Sequence, residues 1–200
     1  MKTFASTILT GAALVLAVGT VAADDSGRHL FMDEHQLDSV TAEAVAEAHQ
    51  KDLAVQGRFG VNFERYWVDE ENSKVYCLAE APDAEALVLA HSEAHGLVPQ
   101  EVHEVSEGEE ESAPGELKLF MDIHRVGPGG ITADEVAQAH EKDLATQGNF
   151  GVHFINYWVD PESGDIFCLS RAKSAEDVLA VHREAHGLVS NEISEVTQGE

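Results

Sequence analysis

Residues Ala48–Asp69 read AHQKDLAVQGRFGVNFERYWVD and residues Ala139–Asp160 read AHEKDLATQGNFGVHFINYWVD, identical at 16 of 22 positions. A self-match at one fixed offset is an internal duplication, so whatever fold one copy adopts, the other adopts as well. Inside the stretch the pattern changes from helical spacing to strand alternation across a glycine. Val61, Phe63 and Trp67 then alternate with Tyr66 and Val68, and copy two repeats this with Val152, Phe154 and Trp158 against Ile155, Tyr157 and Val159. A strand apolar on both sides needs cover on both sides.

Working outward, LFMDEH (Leu30–His35) reads as a short strand, and Thr41–Gln56 has helical apolar spacing through Val45, Ala48, His49 and Leu53 before Gly57. In the second copy Thr132 and Glu135 have the spacing of a capping box. Val61–Val68 and Lys74–Ala79 read as strands joined by a polar turn, DEENS or DPESG, then Asp83–His95 as a helix closed by Gly96, and EVHEV (Glu101–Val105) as a last strand. The order βαββαβ is the ferredoxin-like split unit. The expected fold class is α+β: two tandem ferredoxin-like modules packed sheet to sheet, a pseudo-dimeric sandwich or barrel with the helices outside.

The copies run from about Arg28 to Ser106 and from about Leu117 to Thr197, the second with extra residues in its Gly127-Pro128-Gly129-Gly130 loop. EGEEESAPGE (Glu107–Glu116) reads as an acidic, solvated linker. Before the first copy, Lys2, the apolar run Ile8–Val18 and the small residues Val21-Ala22-Ala23 have the pattern of a signal peptide. The expected division is therefore 1–23 signal peptide, 24–106 first module, 107–116 linker and 117–200 second module, with an exported, periplasmic or secreted product. The apolar run is shorter than the roughly 20 residues a membrane span needs.

A formal charge of -25 repels nucleic acid and anionic lipid and concentrates cations near the surface. That sets aside nucleic-acid and membrane partners and permits a metal ion without requiring one. The two cysteines, Cys77 and Cys168, occupy equivalent strand positions, where a small buried residue is expected rather than a disulfide or a ligand.

Eight of the eleven histidines fall into duplicated pairs: His35/His124, His49/His140, His91/His182 and His95/His186. The other three, His29, His103 and His153, read as surface residues. His49 precedes Asp52 by three positions and His91 precedes His95 by four, with His140/Asp143 and His182/His186 repeating both spacings. Each pair lies on one helix face with Cβ atoms about 5–6 Å apart, within reach of one ion. With the two helices taken as parallel neighbours, His49 and His91 stand at equal depth, about 12 Å from each helix start. Asp33 and His35, repeated as Asp122 and His124, share a strand face; with Leu30 and Met32 turned to the helices, that face would meet the other copy's sheet. Imidazole and carboxylate without thiolate suit nickel, copper(II) or zinc. A histidine that merely packs, its tautomer fixed by an aspartate, is the competing account.

RHLFMDEH, TAEAVAEAHQKDLAVQGRFGVNFERYWVDE and HREAHGLVSNEISEV, with AHxKD and HxEAHGLV as their most specific parts, resemble the ferredoxin-like nickel-binding proteins. The resemblance implies a dimer-like pair of α+β units with nickel as ligand, and Asp33, His35, His49, Asp52, His91 and His95, with Asp122, His124, His140, Asp143, His182 and His186, as the matching positions. This chain departs from that pattern by joining two modules covalently and by its export signal, and the glycine-rich insertion lies near His124. The implied function is a non-catalytic metal buffer, carrier or resistance factor. Two alternatives are an α/β-barrel enzyme or haem-using oxygenase with its cavity between the sheets, a fold-level analogy alone, and an interaction module with structural histidines.

Overall fold

The computed structural model describes residues 27–108 and 110–200; the expected signal peptide, 1–23, lies outside them. Strand β1 (His29–Gln36), helix α1 (Ala42–Val55), β2 (Asn62–Asp69), β3 (Lys74–Ala81), α2 (Ala84–Ala94) and β4 (Glu101–Glu104) form the first module, followed by β5 (Ser106–Glu107). The second repeats it as β6 (Lys118–Arg125), α3 (Ala133–Thr146), β7 (His153–Asp160), β8 (Asp165–Ala172), α4 (Ala175–Ala185) and β9 (Glu192–Glu195), followed by β10 (Thr197–Gly199). Thr41, Asp83, Thr132 and Ser174 cap the four helices, and the Thr132/Glu135 capping box is present.

Each module makes the antiparallel order β4-β1-β3-β2 or β9-β6-β8-β7, the ferredoxin-like order. Each sheet then gains a fifth strand from the far end of the other module: β10 pairs with β2, and β5 with β7. The stretch read as a solvated linker thus begins as a strand and stays beside β7, with Gly108 N–H donating to Tyr157 O at 2.9 Å and Glu111 N–H to Ile155 O. Gly108 and Gly199 hold equivalent places in these exchanged ends, and a Cβ at either would run into the ring of Tyr157 or Tyr66.

The two sheets bury a shared core of Met32, Trp67, Tyr76 and Leu78 against Met121, Trp158, Phe167 and Leu169. The indoles of Trp67 and Trp158 pack with centroids 5.0 Å apart. Their N–H groups are satisfied by the exchanged ends, Trp67 Nε1 donating to Gln198 Oε1 at 3.0 Å and Trp158 Nε1 to Glu107 Oε1 at 3.2 Å.

Three expectations about orientation are corrected. Strand β2 carries a bulge between Phe63 and Arg65, and β7 one between Phe154 and Asn156. The extra residue shifts the alternation, so Val61 and Phe63 face the helices together with Tyr66 and Val68, while Trp67 alone turns to the other sheet. On β1 the same partition puts Phe31 on the helix side and Leu30 and Met32 between the sheets. Asp33 and His35, in phase with Phe31, therefore face the helices and not the other module.

Finally, the helices of a module run antiparallel. β1 and β3 are antiparallel neighbours, and α2 returns to the end of β1 from which α1 departs, as the bond from Gln100 N–H to Glu34 O at 2.9 Å marks. His49 and His91 are thus not at matched depth, and it is Asp52 that lies across from His91.

Replacing Trp67 with alanine opens a cavity under the exchanged strand and leaves Gln198 without its partner. The expected loss is about 3–5 kcal/mol, read as a lower urea midpoint with the far-UV spectrum retained before the transition.

Candidate metal centre

The antiparallel helices and β1 deliver their polar side chains to one place beneath each helix pair. His91 of α2 is 1% exposed and presents both ring nitrogens to aspartates: Nε2 lies 3.2 Å from Asp33 Oδ2 and Nδ1 lies 3.1 Å from Asp52 Oδ1. His95 Nε2 stands 3.3 Å from Asp52 Oδ2 and 3.4 Å from His91 Nδ1, and His35 Nε2 stands 2.9 Å from Asp33 Oδ1. The second module repeats the set. His182 lies 3.2 Å from both Asp122 and Asp143, His186 lies 3.2 Å from Asp143 Oδ2, and His124 lies 3.1 Å from Asp122.

Burial disfavours charge on His91, but the charges and hydrogen bonds of Asp33 and Asp52 outweigh it and raise its pKa to about 10. His182 is likewise raised to about 10 against the same burial, by Asp122 and Asp143. Without metal each ring is an imidazolium clamped between carboxylates. Burial alone would raise Asp33, yet His91 and His35 hold it well below the usual carboxylate range.

His95 has a fixed tautomer. Its Nδ1 is 3.1 Å from the backbone N–H of Leu97, which can only donate, so Nε2 carries the proton of the neutral ring. Gly96, at φ 80°, makes the turn that brings Leu97 back onto the ring. An ion can take His95 Nε2 only when the Leu97 bond is given up, and the same holds for His186 and Leu188 at 3.1 Å.

His49 and His140 stand one turn off. Their rings lie 4.8 and 4.7 Å from Tyr66 and Tyr157, and the buried Nε2 of each lacks a hydrogen-bond partner. Burial lowers the pKa of both, against the pull of Asp52 and Asp143, so both are neutral near pH 7 and offer a lone pair. In the first module His49, His35, Asp52, His91 and His95 line one cavity of about 150 Å³ beneath the helices.

These residues fit a divalent transition metal. Ligand atoms of Asp52, His91 and His95, and of Asp33, His35, Cys77 and His91, lie within 4.8 Å of one another, as do those of Asp122, His124 and His182 and of Asp143, His182 and His186. Buried Asp122 Oδ2 and His124 Nδ1 have no hydrogen-bond partner, an expensive arrangement for a site that only packs. His49 and His140 join none of these close groups, although they flank them. Cys77 and Cys168 are both buried and free, with burial first and neighbouring aspartates next pushing their thiols far up, so each stays a protonated thiol.

Sequence reasoning missed one histidine. His103, expected at the surface, is buried at 6% exposure among carboxylates of both modules, because β4 turns it to the side of β1 that faces the other sheet.

Two ferredoxin-like modules closed over a common core, each with an aspartate-clamped histidine beneath its helices, define a duplicated α+β protein with a paired polar centre. The chain belongs to the family described as nickel responsive protein SCO4226-like, which matches residues 31–105 and 120–196. SCO4226 from Streptomyces coelicolor A3(2) is 48% identical over 41% of this chain and 99% of its own, with a TM-score of 0.39. A chlorite dismutase from Candidatus Nitrospira defluvii matches 87% of this chain and 91% of its own at 9% identity and a TM-score of 0.51, a likeness of fold alone. No curated protein matches the chain significantly.

The clamp sets a pH dependence for the metal-free protein. A group whose pKa is raised on folding stabilises fully below its unfolded value, about 6.5 for histidine, and that share is lost as pH climbs through the folded value of about 10. In the presence of chelator, the difference in melting temperature between the parent and His91→Gln is expected to be largest near pH 6 and to shrink toward pH 10.5. A difference constant across that range would show that His91 is not a clamped cation.

Proposed function

We propose that the protein is an exported binder of divalent transition metal, with nickel as its ion, serving as a buffer, carrier or resistance factor without catalysis. The observation that carries this reading is the twofold occurrence of one buried constellation: a histidine between two aspartates, a second histidine one turn on, and a third with an unpartnered nitrogen on the cavity wall. Family membership supplies the choice of nickel, since its description names a nickel response. Asp33, His35, Asp52, His91 and His95 would hold the ion in the first module, with His49 beside them, and Asp122, His124, Asp143, His182, His186 and His140 would do so in the second. Copper(II) or zinc suits the same donors.

Export rests on the pattern of residues 1–23. The excess of acid, charge -25 over the whole chain, suits a protein that gathers cations outside the cell. Among the described residues no helix is long and apolar enough to cross a membrane.

An ion that binds the His91 ring must displace a proton held up to about 10, so uptake at pH 7.5 is expected to release protons and to weaken steadily as pH falls. Calorimetric nickel titration of the chelated chain in buffers of different ionisation enthalpy counts them. His91→Ala is expected to weaken uptake in one module at least 100-fold, and His91→Ala with His182→Ala to do so in both. Parental uptake by the double variant would sink the site assignment, and a parent that takes up no nickel would sink the function. Edman sequencing of the exported protein is expected to begin at Asp24.

A further inference from the structure

Beyond the helix-covered centres, the seam between the modules holds a second kind of polar cluster. His103 of β4 donates from Nδ1 to Asp160 Oδ2 at 3.0 Å, while its Nε2 is buried, has no hydrogen-bond partner, and faces Glu34 Oε1 at 3.4 Å and Glu101 Oε2 at 3.5 Å. Asp165 Oδ2 lies 3.9 Å from Nδ1. One ligand atom each from Glu34, Glu101, His103 and Asp165 falls within 4.8 Å of the others. Three of these residues come from β1 and β4 of one module's sheet edge and one from β8 of the other module, so the group exists only where the modules meet.

The arrangement around His103 is the one metal-bound histidines adopt: one ring nitrogen donates to a carboxylate, which fixes the tautomer and aims the other nitrogen at the ion. Arg125 steadies the neighbouring carboxylates, its Nη2 standing 3.1 Å from both oxygens of Glu34 and its Nη1 2.7 Å from Asp165 Oδ2. Asp160 is held in turn by Ser163 Oγ at 2.7 Å and by the Glu162 N–H at 2.8 Å. Four carboxylates, those of Glu34, Glu101, Asp160 and Asp165, stand against one guanidinium and one imidazole. The three buried ones, Glu34, Asp160 and Asp165, outnumber the guanidinium and a protonated His103 by one, a charge that burial makes costly, and Glu101 adds a fourth carboxylate at the exposed rim. The cluster opens on a cleft of about 910 Å³, which gives an ion a way in.

Shared origin does not account for it. Strand registers make Ile123 the counterpart of Glu34, Ser194 that of His103, and Lys74 that of Asp165. At the related position the polar link is a Lys74–Glu192 ion pair, and no imidazole is present.

We propose that His103, Glu34, Glu101 and Asp165 form a separate metal site between the modules that takes one oxygen-preferring divalent cation, of which manganese(II) is the representative. One imidazole with three carboxylates is a harder donor set than the histidine-rich centres under the helices. Burial opposes charge on His103, but Glu34 and Asp160 hold its proton up to about 9; the ion takes that proton's place among the same carboxylates.

The test titrates the full chelated chain with manganese(II) chloride at pH 8 and counts free ion by its electron paramagnetic resonance signal. The parent is expected to bind one equivalent that His91→Ala with His182→Ala retains, and that His103→Gln and Glu34→Gln weaken tenfold or more while nickel uptake by the helix centres is unchanged. Glu101→Gln, at an exposed position, gives the same weakening in a protein whose fold is not at risk if either buried variant fails to fold. Manganese binding unaltered in Glu101→Gln and His103→Gln, or no binding by the parent, overturns the proposal.

Discussion

Each sheet of this protein is apolar on both faces, and that is the constraint from which the rest follows. The helices cover one face, and only a second sheet can cover the other. The modules meet through Trp67 and Trp158, whose rings are fully buried, and a buried indole needs an acceptor for its N–H. The exchanged ends β5 and β10 provide it through Glu107 and Gln198 while closing the open edges of β2 and β7. Packing, hydrogen bonding and edge protection thus converge on two short segments of the chain. The glycines at 108 and 199 are what let those segments lie against the tyrosine rings.

With stability drawn from the intersheet core, the faces beneath the helices are free to hold groups that a core would not choose. Asp33, Asp122, His91 and His182 are all at most 1% exposed. Alternation of carboxylate and imidazole makes their burial tolerable, since each charge is next to its opposite, but a buried ion pair adds little net stability over well-packed apolar side chains. Such a layer kept in both copies is better accounted for by what it binds than by what it stabilises. The tautomer of His95, fixed by Leu97, adds that the metal-free arrangement is its own closed hydrogen-bonded state, distinct from the loaded one.

The duplication, the α+β class, the element order and the helix caps were all legible in the sequence, because repeat identity, periodicity and capping chemistry are local signals. What depended on partner geometry was not. A strand apolar on both faces does not reveal which face meets the helices, so Asp33 and His35 were assigned to the wrong side, and the bulges after Phe63 and Phe154 cannot be counted from alternation alone. The exchanged strands are two and three residues long, too short for any period to register. The helices' relative direction was legible in principle, since an antiparallel 4-1-3-2 order forces it.

His103 was passed over because it had no duplicate, yet the differences between the copies were the signal that could have found it. A homodimer of single modules repeats every residue across its twofold axis, so a carboxylate at position 34 or 165 would appear on both sides of the seam and exclude the isoleucine or lysine from the equivalent place. Joining the modules in one chain removes that restriction. Glu34 against Ile123, His103 against Ser194 and Asp165 against Lys74 differ together, all at one seam, while the ligand-like residues under the helices match pair by pair. An imidazole buried among carboxylates on one side of the pseudo-twofold axis, with a lysine–glutamate pair on the other, is what covalent duplication permits and a symmetric dimer cannot build.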